Sequence, residues 1–170
     1  VQDAVHMRVR DAPDFLRLPP AEGRGAQRDV LLSRGEPIDL PNDVSQEDLM
    51  RVLADLNAND SVHGILIQSP TPAGTDELAI TEAIDPAKDV DGFHPTNLGR
   101  LVMGQVDGLL PCTPAGVMEI IKDAEIDLLG KKAVIIGRSR IVGMPLALLL
   151  AQKGIDATLT IAHSPTEDIA

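Results

Sequence analysis

The chain has 170 residues, enough for one domain or for two small ones. Hydrophobic residues make up 44% of it and charged residues 24%, a balance that argues against an intrinsically disordered chain. The formal net charge of −11 argues against a nucleic-acid partner, because binding a duplex depends on Lys and Arg neutralising phosphates. Without Trp or Tyr, and with two Phe, the core must be aliphatic.

The cysteine count and the apolar runs indicate a cytoplasmic protein with no membrane partner. The single cysteine, Cys112, cannot form an intramolecular disulfide, which is typical of a reducing compartment. No apolar run reaches the ~20 residues that a bilayer requires, and the first residues lack the apolar segment of a signal peptide. Because the chain begins at Val1 and not at Met, we expect it to have been cut or to begin within a longer protein.

The first 44 residues predict little regular structure. Residues 1–18 favour a short helix that Pro13 interrupts. Residues 19–44 are rich in Pro and Gly and predict a long loop, to which we assign no function, with one short strand at Asp29–Leu32.

The middle of the chain predicts helices around one short strand. Ser45, with an acid three residues later and apolar residues at helical spacing after it, starts a helix. The run His63–Gln68 predicts a buried strand, which the two prolines of Ser69–Pro72 end. Three further segments are predicted: a helix over Asp76–Ala83, a loop over Asp85–Pro95, and a helix over Pro114–Ala124 capped by Thr113.

The last fifty residues predict a βαβ unit. The strands are Lys132–Ile136 and Ala157–Ile161, and between them lie a glycine turn and the helix Met144–Lys153, ended by Gly154. Such a unit implies parallel strands and a right-handed crossover. One unit is not a whole domain, because both faces of a parallel sheet must be covered. We therefore expect this domain to be truncated at its C-terminus, with apolar surface exposed along the unfinished sheet.

The glycine turn is the first candidate binding site. Gly137 ends the strand and Gly143 opens the helix, where free N–H groups and the helix dipole favour an anion. The spacing is not GxGxxG, so a plain strand-to-helix turn is the alternative on pattern alone. Arg138 and Ser139 favour a phosphate, since a cation and a hydroxyl at this edge suit its oxygens.

Two polar segments are further candidates. The loop Lys88–Pro95 holds two carboxylates, a lysine and a histidine, which could orient a heterocycle; turns that bond their own backbone are the stronger alternative. The spacing does not support a metal site, and we predict none. Gln68 follows a buried strand, at the kind of edge where α/β proteins bind ligands, or is an ordinary polar residue. We expect Cys112 to be partly buried and structural, and we assign no function to the isolated His6, His63 and His163.

Together these segments resemble the bifunctional methylenetetrahydrofolate dehydrogenase/cyclohydrolase family. The match spans about Val44 to Thr166 and includes, in the family's order, HGILIQSPTP, IDPAKDVDGFHPTNLGRLVMG, PCTPAGVMEII and GKKAVIIGRSRIVGMPLALLL. The resemblance implies an α/β protein with an N-terminal folate-cleft domain, over residues 1–112, and a partial Rossmann-like NAD(P)-binding domain, over residues 113–170. Family members form homodimers.

The resemblance also implies a reaction in one-carbon metabolism and purine biosynthesis. A dehydrogenase step passes a hydride from methylenetetrahydrofolate to NADP, and a cyclohydrolase step opens the methenyl product to formyltetrahydrofolate. Gln68 resembles the glutamine that supports the catalytic lysine, Asp91 resembles the aspartate that bonds the pterin, and Pro70 and Gly92 lie beside them in the folate site. The residues that the resemblance assigns to the dinucleotide are Gly137, Arg138, Ser139, Ile141, Gly143 and Ser164.

Three departures bear on activity. The family carries Tyr-x-x-x-Lys in an N-terminal helix, and the best local register sets Ala4 at the tyrosine and Arg8 at the catalytic lysine. The chain contains no Tyr, and its first lysine is Lys88. Since arginine stays protonated at neutral pH and does not readily cycle a proton, we predict that the cyclohydrolase step is impaired. Pro165 stands where a basic residue often partners the NADP phosphate, so NAD is also possible.

Two alternatives accompany this assignment. The chain could be a catalytically inactive folate- or dinucleotide-binding relative or fragment, which the missing Tyr and Lys favour. It could also be an unrelated α/β protein with a phosphate-binding turn, which the two long motifs disfavour.

Overall fold

The computed structural model describes residues 5–10, 35–41 and 43–167. These residues form an α/β structure, as predicted, in two compact units, Val1–Asp89 and Val90–Ala170. The domain boundary predicted after residue 112 stays a prediction. The elements in chain order are β1 (Val5–Arg10), β2 (Gly35–Leu40), α1 (Gln46–Ala58), β3 (Gly64–Ile67), α2 (Glu77–Ala83), α3 (Pro95–Val102), α4 (Cys112–Asp123), β4 (Lys132–Ile136), α5 (Gly143–Leu150) and β5 (Thr158–Ala162).

The first unit packs helices α1 and α2 with a three-stranded sheet of order β2-β1-β3, in which both pairings are antiparallel. Ser45 caps α1 as predicted, because its Oγ accepts a hydrogen bond from the Asp48 N–H at 3.1 Å. Asp76 caps α2 in the same way. The core is aliphatic, as the composition required, and consists of Leu49, Leu53, Val62, Ile65, Ile80 and Ile84.

The N-terminal prediction was wrong in two respects. Val5–Arg10 is a strand and not part of a helix, and Gly35–Leu40 is a strand within the segment predicted as loop. The apolar residues Val5, Met7 and Val9 alternate with a period of two, and pairing with β2 and β3 selects that period. Arg8 therefore lies in a strand, so the helical register that aligned it with the family's lysine is absent. The strand predicted at Asp29–Leu32 lies outside the described residues.

The second unit contains the predicted βαβ arrangement. Strands β4 and β5 are parallel, paired from Lys132 with Thr158 to Ile136 with Ala162, and α5 connects them. Helices α4 and α5 cover one face of this sheet, where Ile135 is buried against them. On the other face Val134 is 65% and Ile136 is 78% exposed, which confirms the expected apolar surface. No helix in the described part of the chain is long and apolar enough to cross a membrane.

Element ends in this unit differ from the prediction. Helix α4 begins at Cys112 after Pro111 and has no side-chain cap, so Thr113 is not its cap. Helix α5 ends at Leu150, three residues before the predicted end. Helix α3 was not predicted; His94 Nδ1 accepts a hydrogen bond from the Thr96 N–H at 3.0 Å and caps it. Histidine is not among the usual N-cap residues, so the sequence around His94 did not indicate the start of a helix.

The core of the first unit makes a prediction about stability. Leu53 is fully buried, whereas Leu78 on α2 is 48% exposed. Leu53→Ala is expected to lower the free energy of unfolding by about 2–5 kcal/mol, because it removes buried contacts and leaves a cavity. Leu78→Ala is the matched control and should lower it by less than about 1 kcal/mol. Urea denaturation of the two variants checks this, and equal losses would contradict the assignment of the core.

Candidate functional site

The turn after β4 depends on two glycines. Gly137 has a φ of +122°, a region that other residues rarely adopt, and its N–H donates to the Ala162 carbonyl at 2.7 Å. Gly143 is buried, and a Cβ on it would lie 2.5 Å from the Gly137 carbonyl oxygen. No side chain fits there without moving backbone. The start of α5 thus rests directly on the end of β4.

Ser139 stabilises this turn from within. Its Oγ accepts hydrogen bonds from the N–H groups of Val142 at 3.1 Å and Gly143 at 3.2 Å, and its carbonyl accepts from the Met144 N–H at 3.0 Å. The hydroxyl therefore satisfies amides at the start of α5 that have no partner within the helix. Its own hydrogen can still be donated to an anion.

Arg138 meets a histidine that the sequence did not single out. Arg138 Nη1 lies 3.3 Å from His163 Nε2. Because a guanidinium can only donate, Nε2 is the acceptor and the imidazole hydrogen lies on Nδ1. His163 Nδ1 is buried and has no hydrogen-bond partner within the described residues. The available signal was position, since His163 directly follows β5 and the ends of parallel strands meet at one edge of a sheet.

The remaining candidates of this turn lie at its surface. His163 and Thr166 exchange two hydrogen bonds, in which the His163 N–H donates to Thr166 Oγ1 at 2.9 Å and the Thr166 N–H donates to the His163 carbonyl at 2.7 Å. Ser164, between them in sequence, is exposed, and Ile141 is also exposed. The carboxyl edge of β4 and β5 therefore presents a guanidinium, held by the imidazole of His163, and hydroxyl groups beside a helix start, a set suited to phosphate oxygens.

Gln68 follows β3 and is exposed. Its Nε2 donates to the Ser69 carbonyl at 3.4 Å, which is long for a hydrogen bond. The next peptide, Ser69–Pro70, is cis, and Ser69 Oγ donates to Glu77 Oε1 at 3.0 Å, which ties this segment to α2. The structure thus presents the Gln68 amide to solvent from a fixed segment beside Pro70.

The segment that carries Asp91 is held by neighbours on its C-terminal side. Gly92 has a φ of +69°, and a Cβ on it would clash with the backbone of Leu110. Cys112 Sγ donates to the Val90 carbonyl at 3.2 Å. Cys112 is exposed and not partly buried as predicted, but this contact gives it a structural role. Asp91 itself is half-buried.

Lys88 is bound within the protein, in keeping with the alternative that the Lys88–Pro95 loop bonds its own chain. Its ammonium group donates to three backbone carbonyls of the protein, so none of its hydrogens is left to orient a ligand. Asp89 is 2% exposed and bridges to Ile65 of β3. Of the two carboxylates in the loop, Asp91 is the more accessible. Within residues 5–10, 35–41 and 43–167 the acidic, histidine and cysteine side chains form no group that could hold a metal ion.

Two sequence models of one family match the chain. The catalytic domain of tetrahydrofolate dehydrogenase/cyclohydrolase matches residues 32–91, and the NAD(P)-binding domain of the same family matches residues 111–170. The chain belongs to this family. Its assignment by resemblance is thereby confirmed.

Individual relatives agree with the family assignment. The bifunctional protein FolD of Chloroherpeton thalassium is 54% identical over 138 residues, which are 79% of this chain and 47% of that protein. FolD 1 of Myxococcus xanthus is 53% identical over 137 residues, 81% of this chain and 47% of that one. The chain therefore spans about half the length of the curated relatives that it matches.

Solved structures show the same family. The bifunctional enzyme FolD of Campylobacter jejuni is 49% identical, with a TM-score of 0.73 over 76% of this chain and 45% of that one. The Trypanosoma brucei FolD, complexed with NADP cofactor and inhibitor, is 39% identical, with a TM-score of 0.70 over 75% of this chain and 43% of that one. The NAD-dependent methylenetetrahydrofolate dehydrogenase of Saccharomyces cerevisiae is 27% identical, with a TM-score of 0.59 over 69% and 42%.

The close contact at Gly143 makes a prediction. Gly143→Ala is expected to lower the free energy of unfolding by about 1–3 kcal/mol, because the new methyl group overlaps the Gly137 carbonyl. Gly116→Ala, within α4 and with open space around it, is the matched control and should raise stability by up to about 1 kcal/mol. Thermal or urea unfolding measures both. A stabilised Gly143→Ala variant would contradict the packing of the turn.

Proposed function

We propose that this chain binds NADP at the turn after β4, binds a tetrahydrofolate derivative at Gln68 and Asp91, and serves the oxidation of methylenetetrahydrofolate to methenyltetrahydrofolate. The observation that carries the proposal is the buried contact between Gly137 and Gly143, which puts the start of α5 beside Arg138 and His163. Membership of the family, and the dehydrogenase/cyclohydrolase activity of its members, support it.

The residues at the turn fit a dinucleotide phosphate. A Cβ at Gly143 would fill the space where backbone approaches backbone. Ser139 already binds the first N–H groups of α5, so the positive end of the helix dipole is what favours an anion here. Arg138 supplies a fixed positive charge for a phosphate, while Ser139 and Ser164 supply hydroxyls. His163 keeps Arg138 at this edge through their contact. Bound NADP supplies the hydride acceptor, and the residues of this chain bind and orient it.

The folate assignment combines resemblance with accessibility. Asp91 would accept hydrogen bonds from the N–H groups of the pterin, and Gly92 lets the backbone behind it pack closely on Leu110. Gln68 would donate or accept beside the one-carbon unit, with Pro70 next to it. NADP is the expected dinucleotide, and Pro165 leaves NAD open as a second ligand.

We also propose that hydrolysis of methenyltetrahydrofolate is impaired. The chain has no Tyr and no Lys before Lys88, and Lys88 is bound to backbone carbonyls. A catalytic base must cycle a proton near neutral pH, which an arginine does not do.

The absence of Tyr and of an early Lys also favours the second candidate function, a family member that binds folate or dinucleotide without turnover. A cytoplasmic homodimer acting in purine biosynthesis completes the proposal.

The two activities should separate in one assay series. We expect methylenetetrahydrofolate-dependent reduction of NADP to be measurable by absorbance, whereas hydrolysis of methenyltetrahydrofolate should be lowered roughly 100- to 10,000-fold relative to a FolD relative, the usual contribution of acid–base catalysis. Arg8→Lys is expected to leave the rate of hydrolysis unchanged, because Arg8 lies in a strand and the family's lysine lies in a helix. A higher rate of hydrolysis would instead support the alignment of Arg8 with that lysine. Binding of NADP and folate without reduction would favour the non-catalytic candidate.

The phosphate contact is tested with two neighbouring arginines. Arg138→Ala should weaken NADP binding about 10- to 100-fold, the usual value of a hydrogen bond to a charged group. It should weaken NAD binding less, because NAD lacks the phosphate at the adenosine end that Arg138 is proposed to contact. Arg140→Ala, two residues away in the same turn, is the control and should change either affinity less than about threefold. Isothermal titration calorimetry gives both constants. Equal losses in the two variants would leave only a general charge effect.

A further inference from the structure

The C-terminal end of α1 lacks a cation of its own. Helix α1 has no basic residue in its last turn, although its carbonyl groups there have no partner within the helix. The negative end of the helix dipole adds to the demand for a positive charge. Any cation at this helix end must therefore come from elsewhere in the fold.

Lys88, about thirty residues later, supplies that cation. Its Nζ donates to the carbonyls of Asn57 at 2.7 Å, Asn59 at 2.9 Å and Leu56 at 3.2 Å. An ammonium group has three N–H bonds, and here each has one acceptor. Three carbonyls converging on one nitrogen suit a compact ammonium, whereas the planar fork of a guanidinium would not satisfy them together.

Asn57 binds the same segment in the opposite direction. Its Nδ2 donates to the Ala83 carbonyl at 2.7 Å, and its Oδ1 accepts from the Asp85 N–H at 2.9 Å. Side chains from both partners thus hold the end of α1 to residues 83–88. We call these five hydrogen bonds the Asn57–Lys88 clamp.

The clamp leads directly to β3. The Lys88 carbonyl accepts from the Ile65 N–H at 2.7 Å, and Asp89 continues beside Ile65 as a parallel bridge. Lys88 is therefore fixed at both its side chain and its backbone. From this point the chain reaches Asp91 in three residues. Three extended residues span about 11 Å at most, so the position of Lys88 limits where Asp91 can lie.

We propose that Lys88 is a positioning residue for Asp91, acting through the end of α1 and requiring an ammonium group at this place. The inference rests on the proposed folate role of Asp91, but its structural part can be tested without ligand. Lys88 contacts no ligand in this role. It sets the starting point of the Val90–Gly92 segment.

The first test is local hydrogen exchange of the full chain, measured by mass spectrometry. In Lys88→Met we expect exchange at Ile65 and in Val90–Gly92 to accelerate about tenfold or more, the usual effect of losing hydrogen bonds to a charged group. Peptides from α4 and α5 should be unchanged. Lys122→Met, which removes an exposed lysine from α4, is the matched control. Uniform acceleration across α1, α2 and Val90–Gly92 would reduce Lys88 to a general stabilising residue and overturn the proposal.

The second test is chemical rescue. Ethylammonium added to Lys88→Ala should restore slow exchange at Ile65, because the three carbonyls still form a site for an ammonium group. Lys88→Arg should remain fast, since its charge is kept but its shape is wrong. Rescue by the arginine variant and not by ethylammonium would overturn the requirement for an ammonium.

The third test concerns ligands. Calorimetric titration with tetrahydrofolate should show Lys88→Met binding about tenfold more weakly than the parent chain, with NADP affinity unchanged. If the parent chain binds no folate, the proposed function fails while the exchange and rescue results still decide the clamp. If the parent chain and Lys88→Met bind folate equally, the positioning role fails and the proposed function stands.

Discussion

The contact between Gly143 and the backbone of Gly137 is the constraint on which the turn after β4, the proposed dinucleotide site, depends. With no side chain between them, the start of α5 lies against the end of β4, and Ser139 can reach the first amides of the helix. A larger residue at Gly143 would push the helix outward and break this set of hydrogen bonds. The arrangement of the polar groups at the carboxyl edge of β4 and β5 therefore depends on Gly143, where no larger residue fits.

The loop that carries Asp91 solves a similar problem in another way. Element ends leave backbone groups without partners, and here side chains from distant segments satisfy them. Lys88 serves the end of α1, and Cys112 serves the Val90 carbonyl. Such contacts join segments that have no regular structure of their own. Under the proposed function, they position the Asp91 carboxylate without taking part in its chemistry.

The two family reactions make different demands on a protein, and under the proposed function this chain meets them unequally. Hydride transfer needs two ligands held in the right geometry, and the proposed sites at the glycine turn and at Asp91 would provide it. Hydrolysis also needs a group that gains and loses a proton near neutral pH. The sequence has no Tyr, and Lys88 is occupied by carbonyls. Under the proposed function, the chain would retain ligand binding while losing the hydrolysis step.

The sequence by itself determined the elements whose signals are local. Ser45 three residues before an acid fixed the start of α1, and the β-branched run of β4, followed by Gly137, fixed a strand and its turn. The long motifs fixed the family. The local sequence pattern did not predict β1. A segment of six residues can be helical or extended, and here the pairing with β2 and β3 makes it a strand.

Only the tertiary structure decided which partners the polar groups of the long motifs have within the protein. Lys88 and Asp91 belong to one motif, but the side chain of Lys88 binds the end of α1, which lies about thirty residues earlier in the chain. His163 looked isolated until the parallel pairing of β4 and β5 set it beside Arg138. Such contacts join residues that are distant in the chain, and no local pattern encodes the distance between them.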